Sequence, residues 1–408
     1  MKKMNNKGFA VSTMLYGLLI VIVLVMGMII SIMAFNRKNS KEFTQTVVDE
    51  LEKNITTPVT VQTPYSTKRH YESIGDAVAD APEGSKIIIQ SDITENNTIN
   101  TKEIECTNCT MRINLSGKKI NGCISIAAGS KVKISNGSID CNGSEPTIYN
   151  NGELTITDGT YTYSGSSSNS LFNDSGGSCT IENGNFSNTI GWTIRNKGSL
   201  NIKKANIKLT KEGTDGTALY NDEGGRINTE GGTIESTGFG FVNNSALGTD
   251  DSAKANIKNM TIQITSNSGF SAVLNRGNSY TYLISNTIKS VRTDYPILNN
   301  QNGIIASYRD NIAMAPINGI VYRYYEFGPG DVEVAVFGRS DITKFPTWTT
   351  ANGQDDLRWE DARDYSNGWG NYKYFRIYAS DHNNEKGVYI THIYAGSTYV
   401  FGFSYTMP

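Results

Sequence analysis

The chain has little of several things that usually carry chemistry. Among its 408 residues are 3 His, 5 Cys and 9 Pro. Three His leave almost no material for His-rich metal centres or His-based acid–base catalysis, so no metal and no cofactor is expected. Five Cys leave at least one thiol unpaired within the chain and exclude a dense disulfide framework. An excess of charge is missing too: 37 Lys and Arg face 39 Asp and Glu, a formal net charge of −2. With no basic block, nothing gathers a polyanion, and no nucleic-acid partner is expected. What is present is Gly, at 40 residues, and Tyr, at 22, beside abundant Asn, Ser and Thr. That composition reads as β-rich and turn-rich, and the length allows about two or three domains.

Charge is wholly absent from positions 8–36, and residues 15–35 are almost entirely apolar. A bilayer-spanning helix takes about 20 residues. Arg37 and Lys38 follow the stretch in place of a small-residue cleavage site, so a retained single membrane span over 9–36 is expected. Lys2, Lys3 and Lys7 before it balance Arg37, Lys38 and Lys41 after it, which leaves orientation to the cargo. The start, Lys2-Lys3-Met4-Asn5-Asn6-Lys7-Gly8-Phe9, resembles a prepilin leader, which implies cleavage between Gly8 and Phe9. Thr13 stands where that family carries its register-setting Glu. Phe43, Val47, Leu51 and Ile55, four apart, predict a stalk helix, and Pro58 and Pro64 an extended linker. The segments are thus a tail or leader (1–8), a span (9–36), and a stalk with linker (37–66).

From Ile148 a short phrase recurs, one or two apolar residues and then Asn, at Asn150, Asn173, Asn196, Asn221, Asn243, Asn275 and Asn299. The steps are 23, 23, 25, 22, 32 and 24 residues. Two further alternating phrases follow each Asn, such as Leu154-Thr-Ile156 and Thr160-Tyr161. Three brief strands per unit of about 23 residues is the period of a right-handed parallel β-helix, in which stacked rungs bury one another's inward residues. The Asn row is read as a structural ladder bonding from rung to rung. The step of 32 marks an insertion near Asp250-Asp251. Ahead of the repeat, residues 71–89 predict a short helix, a Pro-Gly turn and a strand that close the first rung. Residues 67–303 resemble the pectin-lyase-like superfamily, which implies the fold and leaves the chemistry open, because that fold hosts enzymes, adhesins and passive stalks.

Catalysis on such a cylinder needs clustered carboxylates or a basic residue with metal-binding acids. Asp250-Asp251 is the only adjacent Asp pair there, and no His occurs between His70 and His382. Asp140, Asp158, Asp174 and Asp222 lie beside Gly or Asn, which suggests turn capping. Cys179 takes the place of Leu154 and Leu200 and is expected to pack as a small apolar residue; Cys141 alternates with Ile139 and reads as inward. Cys106, Cys109 and Cys123 offer a local disulfide without fixing a pair. No catalytic residue is assigned.

Past about Ile304 the phrasing stops and aromatics become dense. Alternation at 332–336, 388–394 and 399–405 predicts a small β-sandwich over 304–408. Within it lie Pro346-Thr-Trp348, Asn352-Gly353-Gln354-Asp355-Asp356-Leu357-Arg-Trp359 and His392-Ile-Tyr394. This stretch resembles the GBS Bsp-like repeat, a module of Gram-positive surface proteins, which implies a wall-associated or binding role. Glu360 stands where that family usually has an aromatic. Trp348, Trp359, Tyr389 and Tyr394 are read as stacking faces for sugars or as core, and Gln354, Asp355 and Asp356 as hydrogen-bonding groups or turn caps. His382 and His392 complete the ligand-binding candidates.

The expectation is therefore a mainly β chain of the following kind. One N-terminal transmembrane helix carries a right-handed parallel β-helix and a C-terminal β-sandwich, with the bulk outside the cell. The β-helix is read as non-catalytic and the terminal module as a binder of peptidoglycan, another surface glycan, or a host or neighbour-cell protein. Two readings compete: a surface polysaccharide lyase or hydrolase with the module as its targeting domain, and a minor pilin-like or pseudopilin component.

Overall fold

In a computed structural model the described residues are 18–35, 37–38, 57–82, 84–95, 99–100, 111–211, 216–245, 253–328 and 330–407. The chain falls into two compact units, Met1–Thr56 and Thr57–Pro408. In the first, Leu18–Phe35 is a helix of 18 residues, by length and composition able to cross a membrane. Its Ser31 hydroxyl donates back to the Gly27 carbonyl at 2.8 Å, so the helix satisfies its own polar group. Gly8, Phe9 and the stalk-helix stripe lie outside the described residues.

The second unit is mainly β, a parallel solenoid of about eight turns followed by a strand module. At its start, Val59–Gln62 pairs antiparallel with Lys68–Tyr71 on one side and with Lys86–Ile89 on the other. The Pro-flanked linker is thus a cap strand, held by the buried Val59 and Val61. The helix Ile74–Asp80 begins at Ser73, whose hydroxyl accepts from the Asp76 N–H, and it buries Ile74, Ala77 and Val78. Together these elements close the first rung's open edge.

Each typical rung carries three short strands, for example Glu153–Ile156, Thr160–Tyr163 and Leu171–Asn173. Parallel pairing stacks Leu154 on Cys179, Cys179 on Leu200 and Leu200 on Ile227. Ile148, Leu171, Ile194, Leu219, Phe241, Val273 and Leu298 form a second column. Alternation sends these residues inward while their neighbours face out, and like-on-like stacking makes one continuous core. Rung pairing runs past the expected boundary at 303. Ile304–Tyr308, Asn311–Ile312 and Ile317–Asn318 pair in parallel with the rung before them and form one further turn.

No linker separates solenoid from module. Val321–Gly328 pairs in parallel with Ile304–Tyr308 and antiparallel with Asp331–Phe337, so a single strand ends one structure and begins the other. Asp331–Phe337, Gly370–Tyr378 and Arg363–Asn367 complete this front sheet. A back sheet runs in the order Arg358–Asp361, Lys344–Thr349, Gly387–Ala395, Thr398–Met407. Val332, Val334, Val336, Phe345, Phe375, Ile377 and Ile393 fill the space between the two sheets. Tyr322 stacks on Phe401 at 4.4 Å and Tyr324 on Phe403 at 4.6 Å. On the opposite face of the front sheet, Ala335, Phe337 and Tyr372 join the solenoid core, so the module is also the solenoid's C-terminal cap.

Candidate functional site

One exposed aromatic surface of the module lies on the outer face of the back sheet. Phe345, Thr347 and Thr349 point into the sandwich and are fully or almost fully buried, which leaves Pro346 and Trp348 on the other face. Trp359 sits opposite Pro346 across the strand pair, and Tyr399 sits opposite Tyr394. Ring contacts run unbroken from Trp359 to Tyr394 at 5.2 Å, to Tyr399 at 5.9 Å, to His392 at 4.9 Å and to Trp348 at 4.8 Å. Trp359 and Tyr399 are about half exposed, at 53% and 52%. Gly402 makes room for this strip: a Cβ there would lie 2.6 Å from His392 Cδ2 and 2.9 Å from the Tyr399 hydroxyl. Burial holds His392 below the ordinary histidine range, so the ring is neutral at pH 7.

The candidate ligand residues therefore divide. Trp359 and His392 belong to the strip, with Trp348 buried at its end at 8% exposure. Tyr389 is buried and donates to the Glu385 carbonyl at 2.8 Å, so it offers no face to a sugar. Asp356 and His382 are buried as well. The Asp356 carboxylate accepts from the Thr349 N–H at 2.9 Å and faces His382 Nδ1 at 3.0 Å, which fastens the 350–357 turn to the sandwich. Gln354 and Asp355 are exposed on that turn. His382 and His392 engage different partners, and no cluster of three or more His, Cys, Asp or Glu fit to hold a metal occurs among the described residues. Tyr399 carries no motif that would single it out; its place across from Tyr394 does so.

On the solenoid, Asn150 donates to Asn173 at 2.7 Å, Asn173 to Asn196 at 2.7 Å, Asn196 to Asn221 at 2.8 Å and Asn221 to Asn243 at 2.9 Å. All five side chains are buried, so the row faces no ligand. Between Asn243 and Asn275 the hydroxyl of Thr281 intervenes, accepting from Asn243 at 3.0 Å and donating to Asn275 at 2.6 Å. The last position differs from expectation. Register places Asn300 on Asn275 and sets Asn299 beside Leu274, where it accepts from Asn318 at 2.9 Å. A one-residue difference exchanges the two faces of a strand.

Cys123 and Cys141 form a disulfide with Cα atoms 5.2 Å apart, so Cys141 is paired where alternation had suggested only an inward thiol. Cys106 and Cys109 lie outside the described residues. Cys179 is free and buried, and burial pushes its thiol pKa far up. Beside the disulfide is a cleft of about 520 Å³ lined in part by Glu95, Asp140 and Glu145. Asp140 is on a strand and not in a turn; it pairs with Lys119 at 3.1 Å and accepts from Ser164 at 2.8 Å. Asp174 and Asp222 do accept neighbouring backbone N–H groups, and each also holds a side chain of the rung before, Tyr149 and Arg195. Asp158 accepts from the Asn136 N–H at 2.5 Å, again across rungs. Asp250 and Asp251 lie outside the described residues.

Residues 330–400 match the GBS Bsp-like repeat family. The match begins at the second strand of the front sheet and covers most of the sandwich, including Trp359, His392 and Tyr399. The sandwich built around the GBS Bsp-like repeat also uses Val321–Gly328, donated by the solenoid. No curated protein and no solved structure matches the chain.

Proposed function

We propose that this protein is a single-pass, membrane-anchored surface protein whose bulk lies outside the cell and whose terminal sandwich binds a wall or other surface glycan without cleaving it. The strip from Trp359 to Trp348 carries this reading. Sugar rings expose apolar C–H faces, and the half-exposed rings of Trp359 and Tyr399, set at steep angles to their neighbours in the strip, offer apolar faces and edges with polar tips to meet them. The apolar helix supports anchoring, and the Cys123–Cys141 disulfide fits an oxidising compartment. The solenoid keeps its polar ladder sealed inside and so presents no buried amide to a ligand.

Pull-down of residues 57–408 on wall sacculi, followed by a glycan array, tests the reading. Trp359→Ala removes the most exposed ring of the strip and should cost about 1.5 kcal/mol, roughly a tenfold loss of affinity. Undiminished binding by that variant would refute the assignment. The lyase or hydrolase reading is favoured by one observation, the acidic cleft of Glu95, Asp140 and Glu145. It requires a cleavage product from the glycan that is bound, and loss of that product in Asp140→Asn.

A further inference from the structure

The outer face of the front sheet changes character along its length. Near the solenoid, Phe337 and Tyr372 cover the core. Further along, the same face opens into a cleft of about 380 Å³ with Tyr325, Phe327, Arg363, Tyr365, Trp369 and Arg376 in its lining. That volume suits one or two sugar units.

The charges in the cleft are unbalanced. Its buried carboxylate, Glu333, lies opposite Tyr325 on one strand and Arg376 on the other. Glu333 accepts from the Tyr325 hydroxyl at 2.6 Å and meets Arg376 only at 3.4 Å. The Arg376 guanidinium lies over the Phe327 ring at 4.0 Å and is about one third exposed, so a planar acceptor entering the cleft can reach it. Arg363 is exposed, and the acids beside it in sequence are taken: Asp361 by Lys344 at 2.5 Å and Asp364 by Lys373 at 2.7 Å. Beneath the rim Arg323 is only 7% exposed, with its guanidinium 4.8 Å from the Tyr325 ring and 4.1 Å from the Trp369 ring. Its Nε has no hydrogen-bond partner among the described residues. The cleft lining thus carries two guanidinium groups, of Arg363 and Arg376, against one carboxylate, Glu333. Arg363 sits opposite Tyr374, two residues before Arg376, so the two arginines are diagonal neighbours on one face of the sheet.

We propose that this cleft is a second binding site, for an acidic saccharide. The sugar ring lies against exposed aromatic faces, with Tyr365 51% and Phe327 50% exposed, and its carboxylate or phosphate is gripped by Arg363 and Arg376. The site is independent of the back-sheet strip and does not require it to bind anything.

Calorimetry on the full chain in detergent micelles, with three probes, tests the assignment. They are a linear hexamer of a uronic acid, its carboxyl-reduced neutral counterpart, and a polyol-phosphate oligomer. At least one anionic probe should bind about tenfold or more tightly than the neutral hexamer, and more weakly as salt is raised. Whichever anionic probe binds identifies the carboxylate or the phosphate source. Arg363→Gln alters an exposed side chain outside both cores and should weaken that binding about tenfold, while Trp359→Ala leaves it unchanged. Equal affinity for charged and neutral hexamers, no binding of either anionic probe at millimolar concentration, or an unaffected Arg363→Gln variant would overturn the proposal.

Discussion

Replacing Asn196 by Ala asks how much of the solenoid's stability resides in its buried amide ladder. The Asn196 side chain accepts from Asn173 at 2.7 Å and donates to Asn221 at 2.8 Å and to the Gly198 carbonyl at 3.0 Å, with no exposure to solvent. Truncation leaves the Asn221 carboxamide oxygen without that donor in a dry interior, a penalty of about 1–3 kcal/mol. Asn173 loses one acceptor but keeps the Gly177 and Ser199 carbonyls at 3.3 and 3.0 Å, so its loss is nearer 1 kcal/mol. The sum is about 2–4 kcal/mol. Asn228 supplies the control, because it makes a rung-to-rung amide bond of the same kind, to Asn201 at 3.2 Å, in the open. Water replaces that partner, and Asn228→Ala should stay within about 0.5 kcal/mol of the parent. Urea denaturation of residues 57–408 followed by circular dichroism measures both. If Asn196→Ala proves as mild as Asn228→Ala, burial is not what gives the ladder its value.

Two further outcomes follow from the cross-rung ties. Reducing the Cys123–Cys141 bridge, which closes a separation of 18 residues, should cost about 3 kcal/mol, seen as a lower melting temperature with reductant; an unchanged melt with both thiols titrated would refute this. Asp222 is buried, which alone would raise its pKa, yet its bonds from Arg195 and the Glu223 N–H hold it below the usual carboxylate range. Its ion pair therefore contributes stability that is complete above the unfolded carboxylate pKa near 3.9 and is lost as pH falls through the lower folded value. Asp222→Asn should lower the melting temperature at pH 7, with the gap to the parent closing below about pH 4; a gap that persists to pH 2 would show that charge is not the cause.

The sequence by itself determined the repeating architecture. Inward apolar positions recur at a near-constant step because every rung must bury the same face, and the ladder Asn recurs because a buried amide is tolerated only where the next rung supplies its partner. The strand alternation of 332–336 and 388–394 likewise made the module's strands legible, together with the repeat motif, but 332–336 is buried on both faces because the solenoid core covers the side that alternation left to solvent. The tertiary structure decided which member of an ambiguous pair faces in. In Leu298-Asn299-Asn300 either Asn could stand over Asn275, and the stacking of Leu298 on Val273 placed Asn300 there, where its amide donates to the Gly303 and Ile320 carbonyls. Trp359 and Tyr389 look equally available as aromatic faces, yet pairing puts one on the surface and the other in the core. The cleft was hidden for the same reason. Tyr325, Glu333, Arg363 and Arg376 come from four strands, and no spacing along the chain brings them together until the last rung of the solenoid lends its strand to the sandwich.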